Sequence, residues 1–370
     1  MTAIRSAVLF VLASTLWCGS AAGAEKKELF SLSEKPSAPR FPFSKERIWP
    51  SQPGKPEVCL WDGDRFAALS ITIDDNNAPD HAWWESITKE LGMKVTWFVI
   101  TERPGTGGQW GGWSDFKRLK EAGHGIGSHT VTHFGNADQE SWKGADWEYA
   151  ESKNMLTENI PGLEPLVMAY SGGKNSEKHD REAAAKYYIA VRGTTGTPNI
   201  PSQIDYLNTC STSGRIDRDF TDSVLEGTSG IAWLGGGKYL RGWLCTHFHG
   251  VNKKAEAETN LRYIKTREDD LWVGLFDEVV RYGQERDTHK LTIAENSSSG
   301  VKFDLTDDMR DDIYNIPLTV KLKLDPDWKG ARAEQNGKDV SCTVKEHDGA
   351  LFALVQAVPD AGTVTVKPAL

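Results

Sequence analysis

From Cys59 to about Gln284, short apolar stretches and longer amphipathic ones alternate, and this alternation limits the possible folds more than any other feature. Residues 67–73 are small and β-branched and read as a strand. A helix near 80–91 follows, with Asp80 as its N-cap and Gly92 as its stop. Residues 94–100 read as a strand, 115–122 as a helix capped by Ser114 and ended by Gly123, and 124–128 as a strand. The alternation continues with a long helix within 139–160, a strand at 166–170, a helix at 177–186 and a strand at 187–191. Later come an apolar strand near 242–248, a helix at 254–265, a short strand at 271–273 and a closing helix at 275–282. Parallel strands need long crossover connections, and intervening helices supply them. The pattern therefore predicts a parallel sheet with helices packed on it, open or closed into a barrel. In such folds the chemistry sits at the C-terminal ends of the strands.

Two polar clusters fall at such ends. Asp74-Asp75-Asn76 follows the first strand, and His129-Thr130-Val131-Thr132-His133 follows the third. Adjacent residues of a strand point to opposite faces, so Asp74 and Asp75 can serve one centre only if the strand has ended at Ile73. On a helical turn, residues four apart share a face, which would let both imidazoles bind one ion. Two histidines and one carboxylate make a three-ligand set for a catalytic divalent metal with a position left for water. Taken singly, the Asp pair reads equally as a helix cap and the His pair as structural. Together, in this order after two strands, they point to a metal centre.

The two motifs resemble those of the NodB-homology polysaccharide deacetylases, carbohydrate esterase family 4, whose patterns are T-F-D-D-G and H-[ST]-x-x-H. The second matches fully, while in the first Ile73 replaces Phe and Asn76 replaces Gly. Asn tolerates positive φ better than most residues if the turn requires it. The resemblance implies a distorted (β/α) barrel, Asp74 as catalytic base, and Asp75, His129 and His133 as ligands of a metal, zinc first, with cobalt or nickel as alternatives. It also implies a third motif at Ala169-Tyr170-Ser171-Gly172-Gly173, where the Tyr170 backbone N–H would help hold the oxyanion. The Arg and Pro of that motif are missing here, and Arg192, after the strand ending at Val191, is the candidate to replace the Arg that tunes the base. The alternative reading of Arg192 is a surface ion pair. The family's late His, a general acid, corresponds to His249, because Gly250 follows it, with His247 as the alternate acid or a partner in the site. Acetyl removal from an N-acetylated amino-sugar polymer, or from an O-acetylated polysaccharide such as xylan, is the implied activity. A carbohydrate-binding scaffold that has lost catalysis is the alternative.

The rest of the chain frames this reading. Residues 1–24 look like a signal peptide, with Arg5, the apolar run 7–13 and a small-residue cleavage site at 22–24. An exported mature chain, periplasmic or extracellular, would start near Glu25. The apolar run is too short to span a membrane. Residues 25–58 read as an extended arm, 59–285 as the catalytic domain, and 286–370 as a small β-sandwich of short alternating strands. The sandwich either binds carbohydrate or packs against the enzyme. The weakly periodic stretch 193–240 is expected to form loops that shape a substrate groove. A net charge of −9 gives nucleic-acid binding no support. Of Cys59, Cys210, Cys245 and Cys342, the pair Cys210–Cys245 is the expected disulfide, with free buried thiols as the alternative.

Overall fold

The computed structural model describes residues 47–172 and 179–369. The expected signal peptide and the arm up to residue 46 lie outside the described residues. The chain runs β1 (Pro56–Val58), β2 (Ala67–Ile73), α1 (His81–Leu91), β3 (Thr96–Val99), α2 (Trp113–Glu121), β4 (Gly125–Ser128), α3 (Ala145–Asn159) and β5 (Val167–Ala169). It continues α4 (Arg181–Tyr187), β6 (Ala190–Arg192), β7 (Thr212–Ser213), α5 (Arg218–Leu225), β8 (Trp243–Phe248), α6 (Lys254–Lys265), β9 (Leu271–Val273) and α7 (Phe276–Thr288). Strands β2 to β9 form one parallel sheet in the order β6-β5-β4-β3-β2-β8-β7, with β9 also on β2. The segment before β7 closes back on β6. Val191 N–H donates to Tyr206 O at 2.7 Å, Thr209 N–H to Val191 O at 3.0 Å and Gly193 N–H to Thr209 O at 2.8 Å. The sheet is thereby curled into a half-barrel.

Strand β2 shows how sequence positions the site. Ala67, Leu69, Ile71 and Ile73 pack outward against Trp84 and Ile87 of α1, Phe116 and Leu119 of α2, and Leu261 and Ile264 of α6. Each of these fully buried Leu and Ile side chains is worth roughly 1.5–3 kcal/mol. The alternate residues Ala68, Ser70 and Thr72 therefore face the barrel interior, and Asp74 continues that series at its mouth. The strand ends at Ile73 as expected, because Asp75, Asn76 and Asn77 take φ of 55°, 61° and 34°. That left-handed turn, eased by two Asn residues, brings Asp75 back toward the side Asp74 occupies.

Several local expectations are corrected. Asp80 stands at the N-cap of α1 but makes no cap bond, since its carboxylate accepts from Val251 N–H at 2.8 Å and pairs with Lys254. Helix α2 starts one residue before Ser114, with Asp115 accepting from Gly112 N–H at 2.8 Å. The stretch 193–240 contains α5, capped by Asp217, and its part beyond α5 leads into the N-terminal end of β8, away from the expected groove. All four described cysteines are free. Thr212 pairs with Thr246, so Cys210 falls level with Leu244, out of step with Cys245. Side chains one residue out of step point to opposite faces and cannot bridge without backbone movement.

Beyond α7 come β10 (Lys290–Ser297), β11 (Gly300–Thr306), β12 (Leu318–Lys323), β13 (Ala331–Gln335), β14 (Lys338–Val340), β15 (Cys342–His347), β16 (Ala350–Ala357) and β17 (Val364–Pro368). They form two sheets, β1-β12-β16-β15 and β10-β11-β17-β13-β14. Val320, Leu322, Ala353 and Val355 of one sheet join Val301, Phe303, Val364 and Val366 of the other in one core, which runs on into Trp61, Val280 and Tyr282 of the barrel. The end of the arm, β1, is thus a strand of the C-terminal unit. A buried pair locks the two parts, with Lys321 Nζ 2.8 Å from Asp64 Oδ2 and 4.2 Å from the centre of the Trp49 ring. No helix among the described residues is long and apolar enough to cross a membrane.

Candidate metal centre and active site

The C-terminal ends of β2, β4, β5, β6 and β8 converge on a cavity of about 240 Å³ lined by Asp74, His129, His133, Tyr170, Gly172, Thr194, His247 and His249. Asp75, His129 and His133 offer ligand atoms that all lie within 4.8 Å of one another. Asp75 Oδ1 is 3.4 Å from His129 Nε2 and 3.5 Å from His133 Nε2, and it is a buried atom with no properly oriented hydrogen bond. Neighbouring ligands of a tetrahedral zinc site with bonds near 2.0–2.1 Å stand roughly 3.3 Å apart. The donor set and its spacing therefore fit a divalent metal. Burial raises the Asp75 carboxyl, but His129, His133 and His249 outweigh it and bring it down to about 2.

The two histidines are brought together differently from the expected helical turn. Residues 129–134 form no helix; Thr130, His133 and Phe134 are left-handed, with φ of 67°, 58° and 57°. A β-branched residue at such a φ is strained and has to be held. His129 is fixed by the sheet: its N–H donates to Val99 O at 2.8 Å, and Nδ1–H donates to Ala169 O at 3.0 Å. A carbonyl can only accept, so Nε2 carries the lone pair that faces Asp75. His133 depends on the loop, where its N–H donates to Thr130 Oγ1 at 3.1 Å. Glu148 of α3 receives the Val131 and Thr132 N–H groups at 2.8 and 2.9 Å and the Thr132 hydroxyl at 2.5 Å. Sequence reasoning missed Glu148, which no spacing rule links to the motif.

Asp74 is 2% exposed and Arg192 is wholly buried, so Arg192 is no surface pair. Arg192 Nη2 donates to Asp74 Oδ2, and Nη1 reaches Gly193 O at 3.3 Å and Ser211 Oγ at 3.4 Å. Arg192 thus occupies, from β6, the place next to Asp74 that the third motif leaves empty. Burial raises the Asp74 carboxyl, but Arg192 above all, then His129, His247 and His249, holds it below its ordinary value. Its Oδ1 is buried without a hydrogen-bond partner. An ionised oxygen with an open lone pair beside a metal triad is what a general base requires.

The expected role of Tyr170 does not hold. Its N–H donates to Arg192 O at 3.1 Å, the next rung after the Ala169–Arg192 pair of the β5–β6 ladder, and is not open to an oxyanion. The two late histidines also differ. His247 is buried, and its Nδ1 meets Ser211 Oγ at 2.8 Å, while that hydroxyl donates to Gly193 O at 2.7 Å. Nδ1 of His247 then carries the proton. Burial, and then Arg192, push its pKa down to about 4. His249 lies on the rim, 55% exposed in its side chain, with Nε2 3.8 Å from Asp75 Oδ2. Ser211, like Glu148, carries no motif signal.

The sequence profile of the polysaccharide deacetylase family matches residues 64–191. A protein of Bacillus sp. named gellan lyase is 34% identical over 344 residues, which cover 86% of this chain. This chain spans only 14% of that relative's length. Among solved structures, a polysaccharide deacetylase from Bacillus cereus shares 21% identity at a TM-score of 0.32, over 39% of this chain and 46% of that one. A deacetylase of Streptococcus pyogenes, solved with acetate, shares 22% identity at a TM-score of 0.34, over 39% and 62% of the two chains. That profile spans residues 64–191 and contains both the Asp-Asp and the H-x-x-x-H motifs, so this part of the chain matches the polysaccharide deacetylase family.

Proposed function

We propose that this protein is an exported, metal-dependent deacetylase that hydrolyses acetyl groups on a polysaccharide or oligosaccharide. An N-acetylated amino-sugar polymer such as chitin, poly-N-acetylglucosamine or peptidoglycan is the first substrate class. The observation that carries this reading is Asp74, buried, with one oxygen on Arg192 and the other unpartnered beside Asp75, His129 and His133. A zinc ion, or cobalt or nickel in its place, would supply a Lewis acid that polarises the acetyl carbonyl and acidifies water. Asp74 Oδ1 takes a proton from the attacking water, and Arg192 keeps the carboxylate ionised until it does. His249, open to solvent at the rim, donates the proton that the departing amine needs. The missing third-motif Arg favours a scaffold without catalysis, and the contact of Arg192 with Asp74 counts against that reading.

A second reading, hydrolysis of O-acetyl esters, is favoured by His247. Its Nδ1 faces a serine hydroxyl, where no carboxylate is available to stabilise an imidazolium. An amine leaves an acyl carbon only once protonated, whereas a sugar alkoxide leaves with less help. The relative's name, gellan lyase, denotes a different reaction and supports only a polysaccharide as the kind of molecule met. The test is acetate release by the mature chain from chitin oligomers, N-acetylated peptidoglycan fragments and acetylated xylan, each with and without chelator. Chelator-sensitive release from an amide or an ester substrate chooses between the two. No release from any, with metal bound, would sink the reading. Export is checked by the N-terminus of the secreted chain, expected near Glu25.

A further inference from the structure

We infer that Glu148 is a positioning residue of the metal centre: it fixes the loop between the two histidines and so sets His133 against His129. The inference rests on the metal-centre reading above. Glu148 sits on α3, fully buried, and no ion pair among the described residues involves it. Its Oε2 receives two successive backbone N–H groups, from Val131 and Thr132, and its Oε1 receives the Thr132 hydroxyl. Those residues lie between the histidines. A buried carboxylate is costly unless its oxygens are hydrogen-bonded, so this placement is tightly specified. His129 does not need it, being tied to β3 through Val99 and to β5 through Ala169. His133 does, because among the described residues its backbone is tied only to Thr130, itself left-handed. Glu148 thus acts at a distance from the ligand atoms, as outer-shell groups do when they orient a ligand.

The geometry separates shape from charge. In Glu148→Gln the amide oxygen takes both N–H groups. The amide nitrogen donates to Thr132 Oγ1, whose own proton turns to Asn136 Oδ1, 3.0 Å away. Glu148→Asp keeps the charge but withdraws the oxygens by one methylene, and Glu148→Ala removes them. The experiment measures zinc affinity by competition with a chromophoric chelator, and the visible spectrum of the cobalt-loaded protein. Wild type, the three Glu148 variants and His129→Ala are compared, with far-ultraviolet circular dichroism as a check on folding.

Glu148→Ala and Glu148→Asp are expected to lose about 10–100-fold in affinity with an altered cobalt spectrum, and Glu148→Gln to keep both. Should Glu148→Ala fail to fold, the Asp and Gln variants still decide. A folded Glu148→Ala or Glu148→Asp with wild-type affinity and spectrum would overturn the inference, and so would a Glu148→Gln that falls with them. Wild-type protein that takes up no zinc, or a His129→Ala that binds like wild type, would overturn the metal-centre reading itself.

Discussion

Replacing Arg192 with Met removes the cation that faces the base. Two unit charges about 4 Å apart attract by about 4 kcal/mol at an effective dielectric of 20, or about 3 pKa units at 1.36 kcal/mol each. Asp74 keeps its burial in the variant but loses the strongest of the groups that lower its pKa. The acid limb of kcat/KM is therefore expected to move up by about 3 pH units in Arg192→Met, with each further unit of acid costing tenfold. Arg192→Lys, which keeps a charge, should move it less. Stability follows the same titration with a definite sign. In the native protein the lowered Asp74 contributes stability that is present above its unfolded value near 3.9 and is lost as pH falls through the native value. In Arg192→Met the native pKa lies above the unfolded one, so the deficit appears above pH about 4 and grows with pH up to the new native value. Leaving one member of a buried pair alone costs about 3–5 kcal/mol. The assays are pH–rate profiles of acetate release from metal-saturated enzyme, and urea unfolding of metal-free protein at low and neutral pH. An Arg192→Met enzyme with the wild-type acid limb would refute this role for Arg192.

Further outcomes follow from the same geometry. Asp74→Asn should keep the metal and lose nearly all turnover, and His129→Ala should lose the metal; loss of metal from Asp74→Asn would mean the two aspartates are exchanged. Ser211→Asp places a carboxylate at His247 Nδ1 and should raise the His247 pKa from about 4, increasing amide over ester turnover; an unchanged ratio would remove His247 from proton transfer. Lys321→Met leaves the buried Asp64 carboxylate with only the looser Arg47 contact at 3.9 Å and should cost up to about 3–5 kcal/mol in urea unfolding without changing metal content. A chain ended after Glu285 lacks β12, the partner of β1, and the buried Arg286 that donates to Leu60 O at 2.9 Å; it should bind hydrophobic dyes, and cooperative unfolding of that fragment would contradict the shared core.

Sequence pattern alone carried the parallel sheet with its helices, because apolar stretches with intervening helices leave few other ways to bury both faces of a sheet; whether it curls was left open by the pattern. Strand β2 and helix α6 fall on the residues expected, where periodicity is strong and the stops are clear. Helix α5 was missed because Gly, Thr and Ser around it hide the apolar pair Phe220 and Val224. The sandwich was legible as strands, but β13, β14 and β15 carry too much charge to show alternation. That β1 belongs to the sandwich is a pairing across more than 260 residues, which no local pattern can announce.

At the site, residue types and their order pointed to a metal centre, and the family resemblance made Asp75, His129 and His133 its candidate ligands and Asp74 the candidate base. How they meet was decided by tertiary structure. Left-handed turns at Asp75 and Thr130, and not a helical face, aim the ligands, and such backbone persists only where surrounding groups hold it. Glu148 holds the loop between the histidines, Arg192 faces Asp74 and Ser211 faces His247, and these three come from α3, β6 and the segment before β7. The Tyr170 N–H was lost to the ladder for the same reason, because a backbone donor goes to whichever acceptor the fold brings within reach. Side-chain chemistry is written in the chain one residue at a time, whereas the partner that tunes it is chosen by contacts between distant segments.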